Sequence, residues 1–163
     1  MKKCYAIVLT IWAIACIIGC TPAEEAIPTR AENFRIDCMD TQIIINSPAE
    51  PILNALGDPT AYTEETSCAF DGLDKTYYYG SFYMTTYPDG KGDRISSVWF
   101  ADDSISTPEG IAIGTPRAAV EAAYGEEGSK GANTFVVTRG ESSLTVILTD
   151  DIVSTIRYDV VLE

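Results

Sequence analysis

INSPAEPILNALG (45–57) and IGTPRAAVEAAYG (113–125) align without a gap at an offset of 68 residues. Ile45 meets Ile113, Ser47 meets Thr115, Pro48 meets Pro116, Ile52 meets Val120, Ala55 meets Ala123, Leu56 meets Tyr124 and Gly57 meets Gly125. Each position has a local meaning. Ser47 or Thr115 supplies an oxygen for the free N–H groups of a helix start, and proline suits the first helical residue. Ile52, Ala55, Leu56 and their counterparts form one apolar stripe at spacings of three and four. Gly57 and Gly125 suit a left-handed helix end. Pro51 disturbs the first copy, so its helix is expected to start near Pro51.

The segments downstream of the two helices also match. KTYYY, FYMTTY and RISSVWFA read as three strands joined by Gly80-Ser81 and PDGKGD, and TFVVT, SSLTVIL and IVSTIRYDVV read the same way. The unit is helix, strand, strand, strand, used twice, with Ile95-Ser96-Ser97 set against Ile152-Val153-Ser154. Before the first unit, FRIDC, the turn Met39-Asp40 and TQIII form an extra hairpin. The expectation is an α+β fold in which two tandem repeats form one curved antiparallel sheet with short helices on one face. The first repeat with its hairpin covers 33–102 and the second 103–163.

Ahead of these units the chain begins MKKCYAIVLTIWAIACIIGCTPAEE. Lys2 and Lys3 precede an apolar run from Cys4 to Ile18 that falls short of the ~20 residues of a membrane span and has the layout of an export signal. Ile17-Ile18-Gly19-Cys20 resembles the lipobox of a bacterial lipoprotein signal, with Ile17 where leucine is commoner. That resemblance implies removal of the signal peptide 1–19, diacylation of Cys20 and durable attachment to the outer side of the cell membrane, or to a periplasmic face. Residues 20–32 then act as lipidated cysteine and flexible linker.

Removal of the first 19 residues leaves 144, enough for one domain with its own core. The whole chain carries a net charge of −13, and loss of Lys2 and Lys3 deepens this to −15. Such a surface repels nucleic-acid phosphates and anionic headgroups, so nucleic acid is not an expected partner and lipid rather than charge must hold the chain at a membrane. Of five cysteines, Cys4 and Cys16 leave with the signal and Cys20 takes the lipid. Cys38 and Cys68 remain. They either pair outside the cell, contributing roughly 3.5 kcal/mol by closing a loop of about 30 residues, or stay as two separate buried thiols.

Tandem helix-plus-sheet units, secreted or lipid-anchored, resemble the fold of the β-lactamase-inhibitor protein and of small outer-membrane-assembly lipoproteins of the SmpA/OmlA type. The wording SCAFDGLDKTYYYGSFYMTTYPDG, ISSVWFADD, STPEGIAIG and AYG is also similar to lipoproteins of Gram-positive anaerobes. The resemblance spans roughly residues 33 to 163 and implies a protein-binding surface without naming a partner. No inhibitory motif carries over.

Catalytic signatures are missing from the sequence. There is no histidine, which removes the commonest general base and metal ligand and the usual serine triad. No nucleophile elbow, zinc-protease, phosphate-loop or dinucleotide pattern occurs. Asp89-Gly90-Lys91-Gly92-Asp93 places a lysine where a calcium loop needs a ligand, so it reads as a hairpin turn. Asp102-Asp103 and Asp150-Asp151 also fall at turns. No catalytic residue, metal or cofactor is expected.

The remaining signal is aromatic. Tyr77 and Tyr79 share one face of their strand and Tyr78 the other, while Tyr83 and Tyr87 lie opposite Phe82 and Met84. Tyr77, Tyr79, Tyr83 and Tyr87, with Trp99 on the next strand, are the expected contact surface on an open sheet face. Cross-strand tyrosine pairs that only stabilise the sheet are the plainer reading. The expected function is a non-catalytic, lipid-anchored module that binds an envelope or extracellular protein, the alternative being a cell-envelope glycan or small-ligand binder.

Overall fold

Residues 32–162 are described in a computed structural model of the chain. The apolar segment 1–19, Cys20 and the linker as far as residue 31 lie outside the described residues. The first hairpin forms as its sequence suggests, from β1 (Arg35–Cys38) and β2 (Thr41–Ile44), with Arg35 opposite Ile44 and Cys38 opposite Thr41. Its turn residues Met39 and Asp40 both take positive φ, 51° and 59°, as a two-residue turn that follows strand twist requires.

Both helices are short. In α1 (Ala49–Leu56) Pro51 is the third residue, where its missing N–H has no intrahelical partner to lose, so the helix starts before it. In α2 (Arg117–Tyr124) Val120 and Tyr124 are buried, as Ile52 and Leu56 are in α1. Neither hydroxyl of the S/T-P pairs caps its helix. Ser47 Oγ donates to the Ile44 carbonyl at 2.8 Å, and Thr115 Oγ1 accepts from the Ala112 N–H at 3.0 Å. The reason lies in the backbone: the Ser47 and Thr115 carbonyls accept from strand N–H groups of Ile95 and Val153, which turns the residues toward the sheet.

Asn46 N–H donates to the Ile95 carbonyl and Gly114 N–H to that of Val153, and Pro48 bridges Arg94 as Pro116 bridges Ile152. The bonding counterpart of Ile95 is therefore Val153, one residue beyond the match with Ile152 expected from sequence. The helix ends differ as well. Gly57 has a positive φ of 74° but a ψ of −159°, so it is not in the expected left-handed helical conformation, and Gly125 stays right-handed at φ −63°. Glycine is needed at 125 for space instead, since a Cβ there would lie 2.3 Å from the Glu121 carbonyl oxygen.

The strands β3 (Ala61–Thr66), β4 (Leu73–Tyr78), β5 (Phe82–Pro88), β6 (Asp93–Phe100), β7 (Ser129–Lys130), β8 (Thr134–Arg139), β9 (Ser142–Thr149) and β10 (Ile152–Val160) form one antiparallel sheet. Its order is β3-β4-β5-β6-β10-β9-β8-β7. Two elements were not expected: β7, which is two residues long, and β3, which is exposed at every position and forms one edge. Its AYTEET shows no alternation of apolar and polar residues because neither face is buried.

Both helices and the β1–β2 hairpin contribute to a single core on one side of the sheet, where Ile36, Ile43, Ile52 and Val120 join Met84, Val98, Leu144 and Tyr158. Asn46, left-handed at φ 65°, ties the central strands at one end. Its Oδ1 accepts from Tyr87 Oη at 2.8 Å and Arg94 Nε at 2.9 Å, its Nδ2 donates to Glu141 at 2.8 Å, and its carbonyl accepts from Arg94 Nη2.

Candidate functional site

Strand register separates two chemically distinct faces. One row across the core side runs Tyr62, Tyr77, Met84, Val98, Tyr158, Leu144 and Val137. The next row, on the opposite side, runs Ala61, Tyr78, Tyr83, Trp99, Arg157, Thr145 and Val136. Two residues along, the same open side carries Thr63, Thr76, Thr85, Ser97, Asp159, Ser143 and Thr138. An aromatic row thus lies beside a row of hydroxyls interrupted by the Asp159 carboxylate.

This register divides the expected contact surface. Tyr83 and Trp99 do lie on the open face, 40% and 44% exposed. Tyr77 stands opposite Met84 and therefore faces the core, with its ring 5.1 Å from that of Tyr62. Tyr79, 8% exposed, is buried on the same side and donates its hydroxyl to the Gly57 carbonyl at 3.2 Å, satisfying a helix end. Tyr87, 7% exposed, is covered by Phe70, whose ring stacks on it at 4.7 Å, and its hydroxyl reaches Asn46. The surplus of tyrosines is thus absorbed by a core and a sheet end that give phenolic hydroxyls partners. Tyr78, by contrast, belongs to the open row. The alternation that separates it from Tyr77 identifies that split, but not which side is open.

The open face has a built geometry. Tyr78 and Tyr83 stack with centroids 4.5 Å apart and planes 26° from parallel, and the Arg157 guanidinium lies over Trp99 at 5.4 Å. Tyr78 occupies the β4 side of Tyr83, and Arg157 occupies the β10 side of Trp99. Tyr83 and Trp99 line a depression of about 410 Å³ with Thr76 and Thr85. Thr85 Oγ1 lies 2.6 Å from both Ser96 and Ser97 hydroxyls, which fixes it. Arg157 is held by Asp159, Nε to Oδ2 at 2.6 Å. Burial raises the Asp159 carboxyl above the usual carboxylate value, against the lowering effect of Arg157.

A second depression adjoins the first through Thr76 and Thr85 and is lined also by Glu65, Asp74, Phe70 and Leu162. Asp74 Oδ1 is shielded from solvent and has no hydrogen-bond partner. Lys75 contributes to this wall, but its ammonium is committed to Asp93 at 2.6 Å. Arg157, Asp159 and Asp74 carry no sequence signature. Only the pairing of β10 with β6 brings the first two beside Trp99.

The other sequence candidates fall elsewhere. Cys38 and Cys68 are both free, Cys38 buried at the end of β1 and Cys68 exposed in the β3–β4 connection. Burial first, and then Asp37, pushes the Cys38 thiol up to about 12, so it stays protonated and inert at neutral pH. The Asp89–Asp93 stretch is a turn whose carboxylates are engaged by Arg94 and Lys75. Asp102 accepts from Ser104, and Asp151 pairs with Arg117 at 2.6 Å. Among the described residues no group of three or more acidic or cysteine side chains is placed to hold a metal ion, and no helix is long and apolar enough to cross a membrane.

No protein-family model, curated protein or solved structure matches the chain.

Proposed function

We propose that the chain is a non-catalytic binding module, lipid-anchored through Cys20 outside the cell membrane or in the periplasm, that holds another protein against the open face of its sheet. The observation that carries this reading is the row Tyr78, Tyr83, Trp99 and Arg157, large side chains standing on a face that no helix or hairpin among the described residues covers. Tyrosine, tryptophan and arginine supply most of the energy in protein contacts, because they bring large area with a polar tip. The architecture is read as a duplication, supported by the matching backbone bonds at Asn46 and Gly114 and by the mirrored strand order about the β6–β10 pair. The proposed likeness to inhibitor-type and assembly-type lipoproteins rests on that duplicated layout.

Affinity capture tests the reading. The full chain in mild detergent, incubated with envelope extract, is expected to retain a protein that the double variant Tyr83→Ser, Trp99→Ser loses while remaining folded. Equal retention by the variant would overturn the reading. Retention of cell-wall glycan without any protein would replace it with the glycan alternative. Changing Cys20 to Ser is expected to move the chain out of the membrane fraction, and unchanged partition would contradict the anchor.

A further inference from the structure

The geometry points to an extended, proline-containing basic segment of the partner protein as the occupant of this face, an inference that rests on the protein-binding reading above. The depression is lined by two aromatic side chains, Tyr83 and Trp99, and two threonines, Thr76 and Thr85. A proline ring fits such a site. Proline-rich segments arrive already extended, so they lose little conformational entropy, and they dock in aromatic-lined grooves. Their carbonyls lack competing N–H groups and accept from donors such as the Trp99 indole N–H and the Tyr83 hydroxyl.

Charge decides the neighbouring position. The adjoining depression carries Glu65 and the partnerless Asp74 Oδ1, its one lysine being already paired. In a chain with net charge −13 that arrangement repels an anionic ligand and gives a Lys or Arg side chain two carboxylates. Spacing follows from the register. Asp74 lies four residues along β4 from Tyr78 and two from Thr76. The distance from the middle of the aromatic slot is therefore roughly 10 Å at strand rise. An extended proline-type helix advances ~3.1 Å per residue, which puts the basic side chain about three positions from the proline.

The test is titration of the full chain, with Trp12→Phe so that Trp99 is the only indole, using synthetic peptides of the pattern Pro-Pro-x-x-Lys and following tryptophan fluorescence. Saturable binding is expected, weakened about tenfold or more by Tyr83→Ala, which keeps the Trp99 signal. A weakening of several-fold is expected on Glu65→Gln with Asp74→Asn. The charge-matched change Glu121→Gln with Glu126→Gln is expected to have no effect, which separates the site from the general acidity of the chain. Binding that does not distinguish the proline peptide from one with alanine in place of proline would overturn the proposal, as would equal losses from both charge variants. If the peptides fail to bind while envelope capture still depends on Tyr83 and Trp99, this inference falls and the protein-binding reading stands. If saccharides saturate the fluorescence change instead, both fall.

Discussion

The two faces of the sheet are built from alternate residues of the same strands, yet one is filled and the other only furnished. On the core side Met84, Val98, Tyr158 and Leu144 are fully buried beneath the helices and hairpin. One residue away along each strand, Tyr83, Trp99, Arg157 and Thr145 face outward. Burial of a large apolar side chain contributes ~1.5–3 kcal/mol, so stability resides on the first face. The aromatic residues of the second are arranged without that return. A sheet that needed only a solvated outer face would be served by small polar residues, as the neighbouring row of threonines, serines and Asp159 is. The difference supports the proposal that the aromatic row is kept for contact.

The largest expected effect breaks the filled face. Leu144→Ala should destabilise by about 2–5 kcal/mol, whereas Thr145→Ala on the same strand should stay within about 0.5 kcal/mol. Denaturant midpoints of the two variants measure the contrast directly.

Asn46 comes next, because it joins the sheet end to the turn before α1. Asn46→Ala removes acceptors for Tyr87 and Arg94 and places a Cβ-bearing residue less suited to positive φ at 65°. The expected loss is about 2–3 kcal/mol. Asn46→Gly should recover the backbone part alone, and equal losses from both would show that the side-chain bonds dominate.

The acid limb of the stability curve reports on Glu109. Burial pushes the Glu109 carboxyl up, but donation from Tyr124 at 2.6 Å and the Arg139 pair at 2.9 Å outweigh it and hold its pKa below the usual 4.5. A depressed carboxylate stabilises the fold above its unfolded pKa, and that contribution is lost as pH falls through the folded value. Glu109→Gln should therefore flatten the acid limb of the stability curve below about pH 4.5 and leave its shape above pH 6 unchanged. Asp159, whose pKa is raised, has the opposite sign: Asp159→Asn should remove a disadvantage that appears as pH rises.

The smallest effect concerns one atom. Tyr158 Oη is buried with no hydrogen-bond partner, while the Tyr124 hydroxyl is bonded to Thr107 and Glu109. Tyr158→Phe should stabilise by up to about 1 kcal/mol and Tyr124→Phe should destabilise by about as much. Thermal melts of the pair would show opposite shifts.

Much of this architecture was legible in the residues. Both helices, the first hairpin and six of the eight main-sheet strands follow from turn chemistry and alternation, because those signals are local. The strand β3 was not legible, since an edge exposed on both faces leaves no pattern to read. The site was read in half. Alternation separates Tyr78 from Tyr77, but the choice of which tyrosines meet the helices depends on pairing with β5, a long-range fact. Tyr87 illustrates a second limit: its outward position is cancelled by Phe70, delivered by a connection whose sequence gives no hint of where it folds. Arg157 and Asp159 reach Trp99 only because the last strand pairs with β6.

If the outward aromatic row serves contact rather than stability, the Tyr83→Ser, Trp99→Ser variant separates the two when denaturant stability and envelope-protein capture are measured on the same preparation. Loss of capture with a stability change within about 1 kcal/mol is the predicted result. Unchanged capture, or a loss of several kcal/mol that unfolds the chain, would show that these rings belong to the structure alone.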